Sequence, residues 1–138
     1  MLKITNVTKT FNPGTITEKK ALLGIDLTLE DGDFVTVIGG NGAGKSTLLN
    51  LIAGVHSCDT GKIELNGINM TNMPEYRRAK YLGRVFQDPM LGTAANMEIE
   101  ENLAMAFRRG KTRSLAWGIK NSERNLYYEK LELLGLGL

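Results

Sequence analysis

Residues 39 to 47 run Gly39-Gly40-Asn41-Gly42-Ala43-Gly44-Lys45-Ser46-Thr47, satisfying G-x-x-x-x-G-K-[ST] at each fixed position. Few short segments constrain a chain more. The pattern calls for a strand that ends, a loop whose glycines let backbone amides converge on a polyanion, and a helix whose partly positive start faces the same anion. In that arrangement Lys45 pairs with the β- and γ-phosphates of a nucleoside triphosphate, and the Ser46 hydroxyl helps hold Mg²⁺.

With 16 glycines in 138 residues, the four fixed positions alone could arise from composition, so the flanks decide. Phe34-Val35-Thr36-Val37-Ile38 is β-branched and aromatic, as a buried parallel strand requires. Leu48, Leu49, Leu51 and Ile52 predict a helix with a broad apolar face, stopped by Gly54. Motif and context therefore agree.

Length and charge narrow the field further. The 138 residues suffice for one core without disulfide or metal staples. Seventeen basic and 15 acidic residues leave a net charge of +2, too even to mark nucleic acid as the main partner. Cys58 is the one cysteine, which excludes an internal disulfide. No secretion leader is visible, and no apolar run nears the roughly 18 residues of a membrane span, so the expectation is a cytoplasmic chain that meets a membrane only through a partner.

Along the chain, an alternating strand is expected from Leu2 to about Thr10, then a turn at Asn12-Pro13-Gly14. Leu23, Ile25, Leu27 and Leu29 alternate with polar residues or glycine and predict a half-buried antiparallel strand. Asp31-Gly32 turns into the strand before the phosphate loop. Lys62 to Leu65 predicts another strand, turned again by Asn66-Gly67. A short helix from Pro74 to about Tyr81 and a strand from Leu82 to Phe86 follow. In a helix expected from Ile99 to Arg109 the apolar Ile99, Leu103, Ala106 and Phe107 share one face, and a last helix from about Ser122 to Leu134 is expected to bury Tyr127, Leu131 and Leu134. Arg108 to Arg113 reads as a solvated basic linker, and His56 as a solvated turn residue.

Together, the phosphate loop, Val7-Thr8-Lys9-Thr10-Phe11, the Thr60-Gly61-Lys62-Ile63 hairpin and Val85-Phe86-Gln87 resemble the ATP-binding subunit of a bacterial ABC transporter, importer type. The likeness is to subunits of amino-acid uptake systems such as those for tryptophan or tyrosine, and it covers essentially the whole chain. It implies an α/β fold of the P-loop NTPase class: an antiparallel β-subdomain, a phosphate-loop strand-helix unit and the start of a helical subdomain, divided as residues 1–88 and 89–138. It also implies ATP and Mg²⁺ as ligands. Gly39, Gly40, Asn41, Gly42, Ala43, Gly44, Lys45, Ser46 and Thr47 match the phosphate loop, and Phe11 matches the aromatic that stacks on adenine. Gln87 matches the glutamine that approaches Mg²⁺ and the attacking water.

The same resemblance implies partners: a membrane permease received by the segment from Asp88 to Phe107, and a second nucleotide-binding subunit. Met90, Leu91 and Met97 suit a soft docking surface, whereas Met105 is expected in the core. Trp117 reads either as an interface anchor or as a lid over the helical core. The family's glycine-rich signature, its apolar strand ending in Asp-Glu and its switch histidine have no counterpart in these 138 residues, and His56 is not that histidine. The expectation is therefore an amino-terminal portion that retains binding, loses hydrolysis, and leaves a bare sheet edge prone to self-association.

Other functions share the loop. A GTPase would carry Asn-Lys-x-Asp and Asp-x-x-Gly, and neither occurs here. A small-molecule kinase would use an arginine-rich lid, for which Arg108 to Arg113 is a thin candidate. A scaffold that binds nucleotide without turning it over fits the chain too, and soluble ABC-type ATPases of repair or translation usually carry long insertions after the glutamine.

Overall fold

The computed structural model describes residues 1–111 and 118–135, which fall in two compact units, Met1–Leu82 and Gly83–Leu138. In the first, strands β1 (Leu2–Phe11), β2 (Lys19–Leu29), β3 (Thr60–Leu65) and β4 (Ile68–Asn69) form one antiparallel sheet in the order β2-β1-β3-β4. Helix α1 (Lys45–Ala53) follows the phosphate loop and α2 (Glu75–Arg78) is a single turn. Ile4, Val7, Leu22, Leu48, Leu51, Ile63 and Met70 are buried together, so one face of the sheet and one face of α1 make the core.

Two expectations for this unit fail for physical reasons. Strict alternation placed Leu23 on the inner face, yet Leu23 is 76% exposed and Leu22 is buried. Val7 pairs with Ile25 and Thr8 with Leu23, so Gly24 is an extra residue with φ +90. That bulge reverses the inside and outside positions on its far side. A side chain there would be strained by that φ, and its Cβ, 2.8 Å from Asn6 Oδ1, would push the Asn6 side chain aside.

The second failure concerns the strands expected at Phe34–Ile38 and Leu82–Phe86. Neither segment pairs with a strand among the described residues, and Phe34 and Ile38 stand 95% and 89% exposed. Apolar β-branched sequence suits a strand only where a neighbour supplies ladder hydrogen bonds. Among the described residues no neighbour does so.

Arg78 fastens α2 to the end of α1. Its guanidinium is 2% exposed and donates to Leu51 O (2.6 Å), Ile52 O (2.9 Å), Met73 O (2.7 Å) and Thr71 O (3.1 Å). The α1 carbonyls are those a helix leaves without partners at its C-terminus, and a fixed cationic fork satisfies them while complementing the helix dipole. Burial pulls the Arg78 pKa down, against the opposing influence of Cys58. Gly54 closes the helix at φ +87, and a Cβ there would press on Arg78 Nε at 2.8 Å.

The second unit holds a 3₁₀ turn (Pro89–Gly92), α3 (Ile99–Phe107) and α4 (Asn121–Glu132). Arg108 donates to Glu123 Oε2 (2.6 Å), Arg124 to Glu100 Oε1 (2.7 Å), and the Phe107 and Tyr127 rings meet edge to face at 6.1 Å. The helices lie where expected, but their buried faces are narrower. Ala104 and Tyr127 are buried, whereas Ile99, Ala106, Phe107, Met105 and Leu134 are exposed. Two helices alone cannot cover the wide apolar stripe that each carries. Met90, Leu91 and Met97 are on the surface, as expected. Arg113 and Trp117 lie outside the described residues.

Candidate functional site

The phosphate loop is built by local sequence. Ala43 N–H donates to Gly40 O (3.3 Å), and the loop folds back so far that a Cβ on Gly39 would come within 3.2 Å of the Ala43 methyl. Gly44, at φ +86, ends the loop and begins α1. A Cβ on Gly44 would meet Ala21 O at 2.5 Å and Leu22 Cδ2 at 3.0 Å, so this corner is packed directly onto β2. Glycine is required there twice over, for conformation and for space.

From that corner α1 starts without a side-chain cap. Leu48 N–H makes the first helical bond, to Gly44 O (2.8 Å), so the amides of Lys45, Ser46 and Thr47 have no acceptor within the helix. Lys45 is half-buried, and its ammonium donates to Gly39 O (2.5 Å) and Gly40 O (2.8 Å). A positive charge and three inward-starting amides thus share one small loop. An anion suits that set, because it would satisfy the amides and complement the N-terminal end of the dipole.

A divalent cation fits in a narrower sense. Among the described residues no group of three His, Cys, Asp or Glu side chains could hold a metal. The exposed Ser46 hydroxyl, one residue into the helix, is a donor of the kind that joins a cation already carried by phosphate oxygens.

Phe11 ends β1 and pairs in register with Lys19 of β2. Lys19 Nζ in turn lies 3.4 Å from where a Gly42 Cβ would stand, so the aromatic and the loop flank the same end of β2. The structure therefore brings Phe11 and residues 39 to 47 to one region of the first unit. Gln87 is exposed in the second unit, next to Asp88, whose carboxylate accepts from Met90 N–H (2.9 Å).

Sequence reasoning passed over three residues at this site. Lys19 is distant in sequence from the loop and reaches it through strand register. His56, expected to be solvated, is half-buried with its ring 5.4 Å from that of Phe11, nearly perpendicular. Asp59 accepts from Thr10 N–H (2.6 Å) and Lys9 Nζ (3.0 Å) beside the same aromatic. Pairing of Phe11 with Lys19 brings in the lysine, and pairing of Thr8 with Thr60 brings Asp59 beside the aromatic.

Comparison with known proteins agrees with this geometry. The family model described as "ABC transporter" matches residues 22–136. The chain is 44% identical over 131 residues to a tyrosine transport ATP-binding protein of Clostridioides difficile, covering 91% of this chain and 50% of that protein. It is 38% identical over 112 residues to a spermidine/putrescine import ATP-binding protein of Trichormus variabilis, covering 81% and 27%, and 34% identical over 110 residues to a bacitracin export ATP-binding protein of Halalkalibacterium halodurans, covering 76% and 42%. The chain thus spans half the length, or less, of these relatives.

Among solved structures, a dimeric ATP-binding cassette in a post-hydrolysis state with ADP and Pi superposes with a TM-score of 0.74 at 28% identity, over 99% of this chain and 58% of that one. A nucleotide-free cassette from an ABC transporter gives the same score and identity over 99% and 54%. With the phosphate loop formed, the fold shared and the family model matched over most of its length, this chain belongs to the ABC transporter family, as part of its ATP-binding domain.

Proposed function

We propose that this chain binds Mg·ATP through residues 39 to 47 and Phe11, as part of an ATP-binding subunit that powers solute movement across a membrane. The observation that carries the reading is the Lys45 ammonium held on the Gly39 and Gly40 carbonyls beside the first amides of α1, which have no acceptor within the helix. On nucleotide binding the amides of Lys45, Ser46 and Thr47 hold phosphate oxygens, and Lys45 exchanges its loop carbonyls for phosphate. Phe11 offers its ring to the base. Mg²⁺, when bound with the nucleotide, would neutralise phosphate charge, and the Ser46 hydroxyl would help hold it.

Importer-type amino-acid uptake is the preferred class, since the relative with 44% identity carries the name of a tyrosine transport protein. The exposed Met90, Leu91 and Met97 would receive the permease, with Gln87 reporting its presence to the site. A second nucleotide-binding subunit would face the first, and the assembly would sit on the cytoplasmic face of the membrane. Among the described residues no helix is long and apolar enough to cross it.

The 138-residue chain by itself contains neither the signature glycines nor an apolar strand ending in Asp-Glu. Phosphoryl transfer relies on positioned charge and an oriented water, so turnover by this chain alone is set near background. A scaffold that binds without hydrolysis describes its solution behaviour, while the GTPase and kinase readings gain no support from any observed residue. Displacement of a labelled adenine nucleotide by ATP and by GTP, with phosphate release followed in parallel, tests this. ATP displacing more tightly, with release at buffer level, is expected. Tighter GTP binding, or turnover typical of a working enzyme at roughly 1–100 per second, contradicts it.

A further inference from the structure

We propose that Asp59 is a positioning residue for the nucleotide base, its carboxylate fixing the end of β1 so that the Phe11 ring is held ready to stack. The inference rests on the reading of Phe11 as the base-stacking aromatic, and it extends that reading to a residue 48 positions away in sequence.

The ladder at the end of β1 is incomplete on one side. On its β3 side, β1 is paired through Leu2, Lys3, Ile4 and Thr5, and after an irregularity only through Thr8 with Thr60. Thr10 and Phe11 have no β3 partner. On the β2 side the register shifts between Lys9 and Thr10. Immediately after Phe11 the chain turns at Asn12, with φ +49. Thr10 and Phe11 are thus paired on the β2 side alone, with Lys20 and Lys19, and a strand end held on one side frays more readily than one held on both.

Asp59 takes the place of the missing strand. Its own amide donates to Thr8 O (3.0 Å), its Oδ2 accepts from Thr10 N–H (2.6 Å), and its Oδ1 accepts from Lys9 Nζ (3.0 Å). Both carboxylate oxygens are therefore committed to the two residues before Phe11. The Lys9 ammonium so held lies 5.6 Å from the centre of the Phe11 ring, and the His56 ring approaches the same aromatic at 5.4 Å and 79°. The Thr8 and Thr60 hydroxyls, 2.8 Å apart, tie the base of the clamp. In keeping with these contacts, the Thr10 amide and then the Lys9 ammonium hold the Asp59 carboxyl below the usual carboxylate range.

An ordered ring binds a base more tightly than a mobile one, because the cost of fixing it is met before the ligand arrives. Neutralising Asp59 should thus weaken the part of binding owed to the base and leave the part owed to phosphates. Calorimetric titration of the chain with Mg·ATP and with inorganic tripolyphosphate separates these. For Asp59→Asn and Asp59→Ala, ATP affinity is expected to fall about three- to tenfold, with tripolyphosphate affinity unchanged, given base-stacking contributions of ordinary size. Phe11→Ala should lose at least as much, and Asp59→Asn should add nothing in the Phe11→Ala background.

The isosteric Asp59→Asn, its fold checked by circular dichroism, keeps the test usable if the alanine variant fails to fold. Wild-type ATP affinity in Asp59→Asn, with a loss in Phe11→Ala, overturns the positioning role while leaving the base reading intact. No loss in Phe11→Ala overturns the base reading itself. Equal losses for ATP and tripolyphosphate in Asp59→Asn mark a general structural effect and also overturn the proposal.

Discussion

Gly44 shows how much a single residue carries at the phosphate site. It joins loop to helix at φ +86, and any Cβ there would collide with Ala21 O. Gly44→Ala should cost about 1–3 kcal/mol of stability, through left-handed strain and the clash with β2. Urea unfolding checks the cost, and the same protein should bind Mg·ATP more weakly, since the amides that follow residue 44 must move. An alanine variant with wild-type stability would show that the corner relaxes freely. Residues 39 to 47 were legible from the sequence because their conformation is dictated by neighbours along the chain. Lys19, His56 and Asp59 were not, because strand register between distant segments brings them to Phe11 and the loop.

At the scale of elements, α1 is fixed at its start by the loop and at its end by Arg78. The guanidinium's contacts with Leu51, Ile52, Met73 and Thr71 carbonyls join α1 to the segment that follows β4. Arg78→Met removes a charged donor from the part-buried carbonyls of Ile52, Thr71 and Met73 and leaves Leu51 O with Gly54 N–H alone, so the unfolding free energy should drop by about 3 kcal/mol. Arg78→Lys should recover only part of this, because an ammonium cannot span the same carbonyls. Denaturation of both variants checks the claim, and full recovery by lysine would contradict it. The sequence announced α1, α3 and α4 by their apolar spacing and caps. It hid the core side of β2, because the bulge at Gly24 inverts alternation and is itself set by the pairing of Val7 with Ile25. Tyr127 was foreseen as buried, but Leu134 is 64% exposed, because α4 has only α3 to pack against among the described residues.

For the whole molecule, the segment from Phe34 to Ile38 decides behaviour in solution. Its composition is that of a central strand, yet it stands apolar on the surface with no strand partner among the described residues. Such a patch favours association. Light scattering behind size exclusion should show a mass that rises with concentration, and Phe34→Ser with Ile38→Thr should lower it. A constant monomer mass in the unmodified chain would contradict this. The fold class and the loop between Gly39 and Thr47 were legible because both are written in contiguous motifs. The pairing of Phe34–Ile38 was not, because a strand's partner is a property of the rest of the sheet, and this chain matches only 58% of the solved cassette it superposes on. Isothermal calorimetry of the folded chain with Mg·ATP, beside Lys45→Ala, tests the central claim most directly. Saturable heat at one site per chain is expected, lost or weakened at least tenfold in Lys45→Ala, in line with removal of a charge-assisted contact. No heat from the unmodified chain, or equal binding by both proteins, would contradict it.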